Sequence, residues 1–116
     1  MKFLRTGIKE IETKAELENL ISENENVMVC CGRMGPMCLP VFGIMEQLEE
    51  IYTNIKFRVM AFDNPESAII RNAPECRGFS GLPFTMYYKN GNVVKATSSI
   101  QNMQQVTGIL DANFGK

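Results

Sequence analysis

Four cysteines, Cys30, Cys31, Cys38 and Cys76, are the side chains best able to do chemistry in this 116-residue chain. A cysteine reacts as its thiolate, which attacks disulfides and binds soft metals. The chain has no histidine. That excludes a Ser–His–Asp triad, a Cys–His dyad and any histidine-ligated metal within it. Three cysteines fall within one short stretch. Cys30 and Cys31 are adjacent, and six residues separate Cys31 from Cys38. Adjacent cysteines suit no common zinc or iron–sulfur spacing, so no metal and no cofactor is expected. Met34, Met37 and Cys38 are soft sulfur donors to Cu(I), but the eight methionines read better as core and surface filler. Cys30 and Cys31 can also be small buried hydrophobes. Cys76, near the end of a short helix, reads as partly exposed and open to glutathionylation.

The composition narrows the class. Twelve basic and thirteen acidic side chains nearly cancel, and 45% of residues are hydrophobic. No basic excess points to nucleic acid. No apolar run is long enough for a membrane span. The start, Met1-Lys2-Phe3-Leu4-Arg5, turns polar before a signal-peptide core can form, so a cytoplasmic protein is expected. Four cysteines are too few for a disulfide scaffold of this length. In a reducing compartment, neighbouring cysteines are more often catalytic, redox-sensing or metal-binding than structural.

The elements that must position these sulfurs follow from periodicity and punctuation. Residues 3–11 suggest a first strand. Thr13-Lys14-Ala15-Glu16 is a capping box opening a helix over 13–24. Val27-Met28-Val29-Cys30-Cys31 reads as a strand buried on both faces. Gly32-Arg33-Met34-Gly35-Pro36 is a turn. A helix should start near Pro36, with Val41, Ile44, Met45, Leu48, Ile51 and Tyr52 as its apolar stripe. Stepping back three from Val41 places Cys38 in the first turn, facing inward. Ile55 to Phe62 is a strand, 66–73 a short helix ended by Pro74, and 77–83 an irregular loop. Phe84–Tyr88 and Asn92–Thr97 form a hairpin about Asn90-Gly91. Ser99 can cap a last helix over 101–114, with Val106, Ile109 and Leu110 inward. The order β-α-β-α-β-α-β-β-α gives a mixed central sheet with helices on both faces, an α/β fold in a single domain spanning 1–116.

Four segments then resemble the thioredoxin family: Val27-Met28-Val29; Gly35-Pro36-Met37-Cys38 with the helix that follows; Phe62-Asp63-Asn64-Pro65; and Gly81-Leu82-Pro83 with Tyr87-Tyr88-Lys89-Asn90-Gly91. The resemblance implies a thioredoxin-like fold and a cis bond before Pro83. It implies a peptide-binding wall at Leu82 and Pro83, with Met34, Gly35 and Pro36 beside it. Phe84 departs from the threonine often found there. Gly35-Pro36-Met37-Cys38 resembles a remodelled Cys-Gly-Pro-Cys. Aligning the two Gly-Pro pairs would place Met34 and Met37 at the cysteine positions. The helix stripe favours the register that matches Cys38 to the second, resolving cysteine. Gly35 then takes the place of the attacking cysteine, and Met34 that of the tryptophan. Cys30 matches a position where many members have a buried acid.

The resemblance implies two readings. In one, Cys38 and either Cys31 or Cys30 form the redox pair of a thiol–disulfide oxidoreductase, acting on protein or small-molecule disulfides with an electron donor like thioredoxin reductase. In the other, the chain is a redox-inactive module that binds proteins at the groove beside Pro83. A monothiol enzyme ranks last, because Cys38 turns inward. No nucleic acid, no membrane and a monomer are expected.

Overall fold

The computed structural model describes residues 3–115, so Met1, Lys2 and Lys116 lie outside the described residues. Five strands form one sheet: β1 (Glu10–Ile11), β2 (Asn26–Gly32), β3 (Lys56–Ala61), β4 (Phe84–Lys89) and β5 (Asn92–Ser98), in the order β1-β3-β2-β4-β5. β3 runs parallel to β1 and β2, while β4 is antiparallel to β2 and β5. Among the described residues, four α-helices cover the sheet: α1 (Lys14–Glu23), α2 (Leu39–Glu49), α3 (Ala68–Arg71) and α4 (Met103–Phe114). Among the described residues, no helix is long and apolar enough to cross a membrane.

The central strand β2 is buried along its whole length, as its unbroken apolar run requires. Successive side chains point to opposite faces of a strand. Met28 and Cys30 therefore join Phe57, Val59 and Tyr87 under α2 and α4. Val27, Val29 and Cys31 join Met60, Phe84 and Met86 under α1 and α3. Each face buries a full layer of large side chains, at roughly 1.5–3 kcal/mol each, so the sheet is a rigid frame for what its ends carry.

Several boundaries differ from the sequence reading. The first strand is only Glu10–Ile11, and Phe3 is exposed. Leu4 and Ile8 still reach the core. The Glu10 carboxylate accepts the N–H groups of Phe3 and Leu4, which ties this segment down without a ladder. The second helix begins at Leu39, not near Pro36. Gly35 O accepts the N–H groups of both Cys38 and Leu39, so the chain is already turning. Pro40 has no N–H to return to Pro36, and the regular helix starts only beyond that missing bond. Ile51 is 68% exposed, because the helix ends at Glu49, and Phe42, outside the expected stripe, is buried on the inward face. Ser99 does not cap the last helix. It lies at φ 70°, and Asn102 caps the helix instead, in a reciprocal box with Gln105.

Candidate functional site

The site lies at the C-terminal end of β2, where the chain leaves the sheet and turns into α2. Cys38 occupies the N-cap position of α2 with only 2% of its surface exposed. Its Sγ accepts the Arg33 backbone N–H at 3.3 Å. A glycine at 32 permits this approach. A Cβ there would stand 2.6 Å from Cys38 Sγ and 3.2 Å from Pro83 Cβ. The sulfur is thus pressed between the end of β2 and the loop carrying Pro83. The Leu82–Pro83 peptide bond is cis, Pro83 is buried and Leu82 is half-buried.

Gly32 therefore gives a direct test of this packing. Gly32→Ala is expected to destabilise the fold by about 1–3 kcal/mol, because neither neighbour is the free end of a flexible side chain. Urea unfolding measures the loss. An unchanged midpoint would mean that the sulfur does not rest on this backbone.

The four cysteines are all free thiols and all buried. The structure separates the two that the sequence left as alternative partners of Cys38. Cys30 shares a face and a core cluster with Cys38. Cys31 lies on the opposite face with Cys76. Strand alternation causes this, and the turn at 33–37 does not carry Cys38 across the sheet. Cys76 is buried rather than partly exposed. Its short 3-10 turn (Pro74–Cys76) packs against the sheet, and its thiol meets Met86 Sδ at 3.5 Å. Among the described residues, no cluster of three or more cysteine, aspartate or glutamate side chains is arranged to hold a metal.

Burial dominates the acidity of these thiols. It pushes Cys38 up, opposed by the Arg33 N–H and then by the Arg33 charge. Burial pushes Cys30 up further. The Thr85 hydroxyl, which donates to Cys30 Sγ at 3.7 Å, opposes this, and the charges that Cys38 and Cys31 can carry add to it. Cys31 is pushed up to about 12 by burial, against a hydrogen bond from Ser67 and the charge of Arg71. Thr85 is a site contact that sequence reasoning missed. It stands opposite Cys30 in the β2–β4 register, which local pattern does not reveal.

Arg33 is the other missed residue. Its guanidinium forms a two-pronged ion pair with Asp63, with Nε and Nη2 donating at 2.9–3.1 Å. This pairing holds the Asp63 carboxyl below its usual range. The same guanidinium lies 5.1 Å from the centre of the Phe62 ring. The turn that follows Arg33 carries apolar side chains. Met34 and Met37 are 41% and 44% exposed, Pro36 is exposed and Gly35 is half-buried. Met34 Sδ also accepts the Arg5 backbone N–H at 3.3 Å, tying the N-terminal segment to the turn. Of the residues expected to form the groove, Gly35 meets Cys38 through its carbonyl and Pro83 lies against the same Gly32 backbone as the Cys38 sulfur.

No family model and no curated protein matches the chain. Solved structures do. A thioredoxin from Plasmodium falciparum superposes with a TM-score of 0.75 at 20% identity, covering 91% of this chain and 99% of its own. Mitochondrial thioredoxin 3 from Saccharomyces cerevisiae, in its oxidised form, gives 0.72 at 21% identity, covering 90% and 94%. Thioredoxin f2 from Chlamydomonas reinhardtii gives 0.75 at 13% identity, covering 95% and 99%. The chain has the thioredoxin fold.

Proposed function

We propose that this chain is a thioredoxin-like thiol–disulfide oxidoreductase in which Cys38 is the reacting sulfur and Cys30 its internal partner. One observation carries the reading. The Cys38 sulfur sits beside Pro83 and under the Arg33 N–H, with Cys30 in the same core cluster on the same face of the sheet. Arg33 favours the Cys38 thiolate through both its N–H and its charge. The exposed methionines and the Leu82–Pro83 backbone supply a wall for an extended substrate segment.

The chemistry balances as follows. The Cys38 thiolate attacks one sulfur of a substrate disulfide, and the other sulfur leaves as a thiolate and takes a proton. Cys30 gives up its proton and attacks the Cys38 sulfur of the mixed disulfide, which releases the second substrate thiol. Two electrons reach the substrate, and a Cys30–Cys38 disulfide remains. An external dithiol donor of the thioredoxin-reductase kind returns it to two thiols. Cytoplasm, a reducing compartment, suits a chain whose four cysteines are free.

Two measurements test this. After mild oxidation with glutathione disulfide, alkylation and peptide mass spectrometry should find Cys30 and Cys38 joined. Cys38→Ser should reduce disulfide-reduction activity to background, whereas Cys31→Ser should leave it within about twofold. Full activity in Cys38→Ser removes the proposal.

A second reading is favoured by a specific observation. The attacking position is Gly35, and Cys38 itself is only 2% exposed. On this reading the chain is a redox-inactive module that binds proteins at the same groove. Its signature is four free thiols after the oxidative treatment.

A further inference from the structure

We infer that Thr85 is the residue that lets Cys30 act as the resolving thiolate, with Thr97 supporting it from the next strand. The inference rests on the oxidoreductase reading and assigns the groups that control its second step. It starts from a buried hydroxyl that ties nothing together. Among the described residues, the buried polar or charged side chains are Glu10, Asn26, Asn64, Ser67 and Thr85. The first four bond to the backbone and so hold segments of chain in place. Glu10 accepts the N–H groups of Phe3 and Leu4, and Asn26 donates to Asn54 O. Asn64 donates to Glu12 O, and Ser67 donates to Phe62 O and Asn64 O. Thr85 differs. It is wholly buried, and its hydroxyl donates to the Cys30 sulfur at 3.7 Å. Valine would give β4 the same branched side chain without burying a hydroxyl.

The sheet register sets this contact. Cys30 stands opposite Thr85 in the β2–β4 pairing, and Thr85 stands opposite Thr97 in the β4–β5 pairing. Directly opposed residues share a face, so the three side chains form one row across three strands. That face is the one on which Cys30 and Cys38 share a core cluster. The Thr97 hydroxyl oxygen is buried and has no hydrogen-bond partner, which is costly. Its place beside Thr85 gives it a use. Once Thr85 commits its proton to a sulfur anion, its oxygen lone pairs are free to accept from Thr97. Each bond of such a chain strengthens the next. The core around Cys30 is built of apolar and aromatic side chains, so hydroxyls are the donors at hand.

The second step of the exchange creates the need for these donors. Cys30 must lose its proton inside the core before it attacks the Cys38 sulfur of the mixed disulfide. The Cys30–Cys38 bond then forms and the bond from Cys38 to the substrate sulfur breaks. The departing sulfur keeps the electron pair and takes up the proton that Cys30 gave up. Burial opposes the charged form of Cys30, and the Thr85 hydroxyl favours it. The first step, attack by Cys38, is served by the Arg33 N–H instead. Thr85 therefore acts on one step and not on the other.

Stepwise kinetics separate the two. Dithiobis(nitrobenzoate), a chromogenic disulfide, releases one coloured thiolate when Cys38 attacks and a second when Cys30 resolves. Thr85→Val should leave the first release unchanged and slow the second roughly fivefold, because the lost thiolate is partly offset by a stronger nucleophile. Thr85→Ser, which restores the hydroxyl, should recover the second rate to within about twofold of the parent chain. Thr97→Val should slow the second release by roughly twofold, acting through Thr85. Should Thr85→Val fail to fold, Thr85→Ala and Thr85→Ser compare the same truncated side chain with and without the hydroxyl, and the same ratio is expected. Equal second-step rates with and without the hydroxyl at 85 overturn the inference, as does a first step slowed as much as the second. An unchanged rate in Thr97→Val removes Thr97 from it. If the parent chain releases no second thiolate, or Cys30→Ser still does, the oxidoreductase reading with Cys30 as partner fails and takes the inference with it.

Discussion

A Gly35→Cys variant should gain disulfide-reductase activity, rising roughly 100-fold or more above the parent in a protein-disulfide reduction assay. Position 35 is ready for an attacking thiol. A Cβ there meets nothing within 4 Å, and its φ lies outside the left-handed region, so a side chain enters without strain. Its carbonyl accepts the N–H groups of Cys38 and Leu39, which sets residues 35 and 38 one helical turn apart. That spacing falls in the 4.4–6.8 Å range of Cα separations that disulfides use. The new thiol would be half-exposed in the turn that leads into α2, two residues from Arg33, whose positive charge favours a thiolate. Cys38 would then resolve from below. The gain is large because the partner sulfurs stand in one turn rather than depending on the deep Cys30. Oxidised G35C should lose two thiols by mass spectrometry, with the bond mapping to positions 35 and 38. A variant that keeps all its thiols free under mild oxidant would show that the turn does not hold the two residues in this geometry.

The same stretch shows what the sequence reveals and what it hides. Period-two alternation already sends Cys30 and Cys31 to opposite faces, and the helix stripe already turns Cys38 inward. Their combination is what selects Cys30, and it requires knowing that the turn at 33–37 keeps Cys38 on its own side of the sheet. The box formed by Asn102 and Gln105 was legible, since an N-cap residue followed three places later by glutamine is a helix-start signal. Ser99 is the first cap-forming residue after the strand, yet its positive φ belongs to the loop. The depth of Cys76 was not legible. It depends on a single 3-10 turn docking over Met86, a contact between residues ten apart that no local pattern encodes. The Arg33–Phe62–Arg71 stack is of the same kind: three side chains from separate segments meet only once the sheet has formed.

Raising the pH from 7 to 10 should strip about 4 kcal/mol from the folding stability through Cys30 and Cys31 alone. Both thiols are fully buried and both are shifted upward by that burial, Cys31 to about 12 and Cys30 at least as far. In the unfolded chain each titrates near 8.5. The stabilisation is therefore fully present below about pH 8.5, where both states hold their protons. Above that, the unfolded chain releases protons that the folded chain retains, so stability falls by about 1.4 kcal/mol per pH unit for each thiol until the folded value is reached. Denaturant titrations at a series of pH values measure this slope. Replacing both with alanine should lower stability at pH 7, by loss of packing, and make the decline between pH 8.5 and 10 clearly shallower, with the remainder coming from Cys38 and Cys76, whose thiols burial also pushes upward. A decline of equal steepness in the double variant would place the lost protons elsewhere, on Cys38 and Cys76 or on buried Tyr87 and Tyr88, all of which burial also pushes upward. Those phenols begin to separate the two states only near pH 10, where unfolded tyrosine ionises, so the onset of the slope tells thiols from phenols.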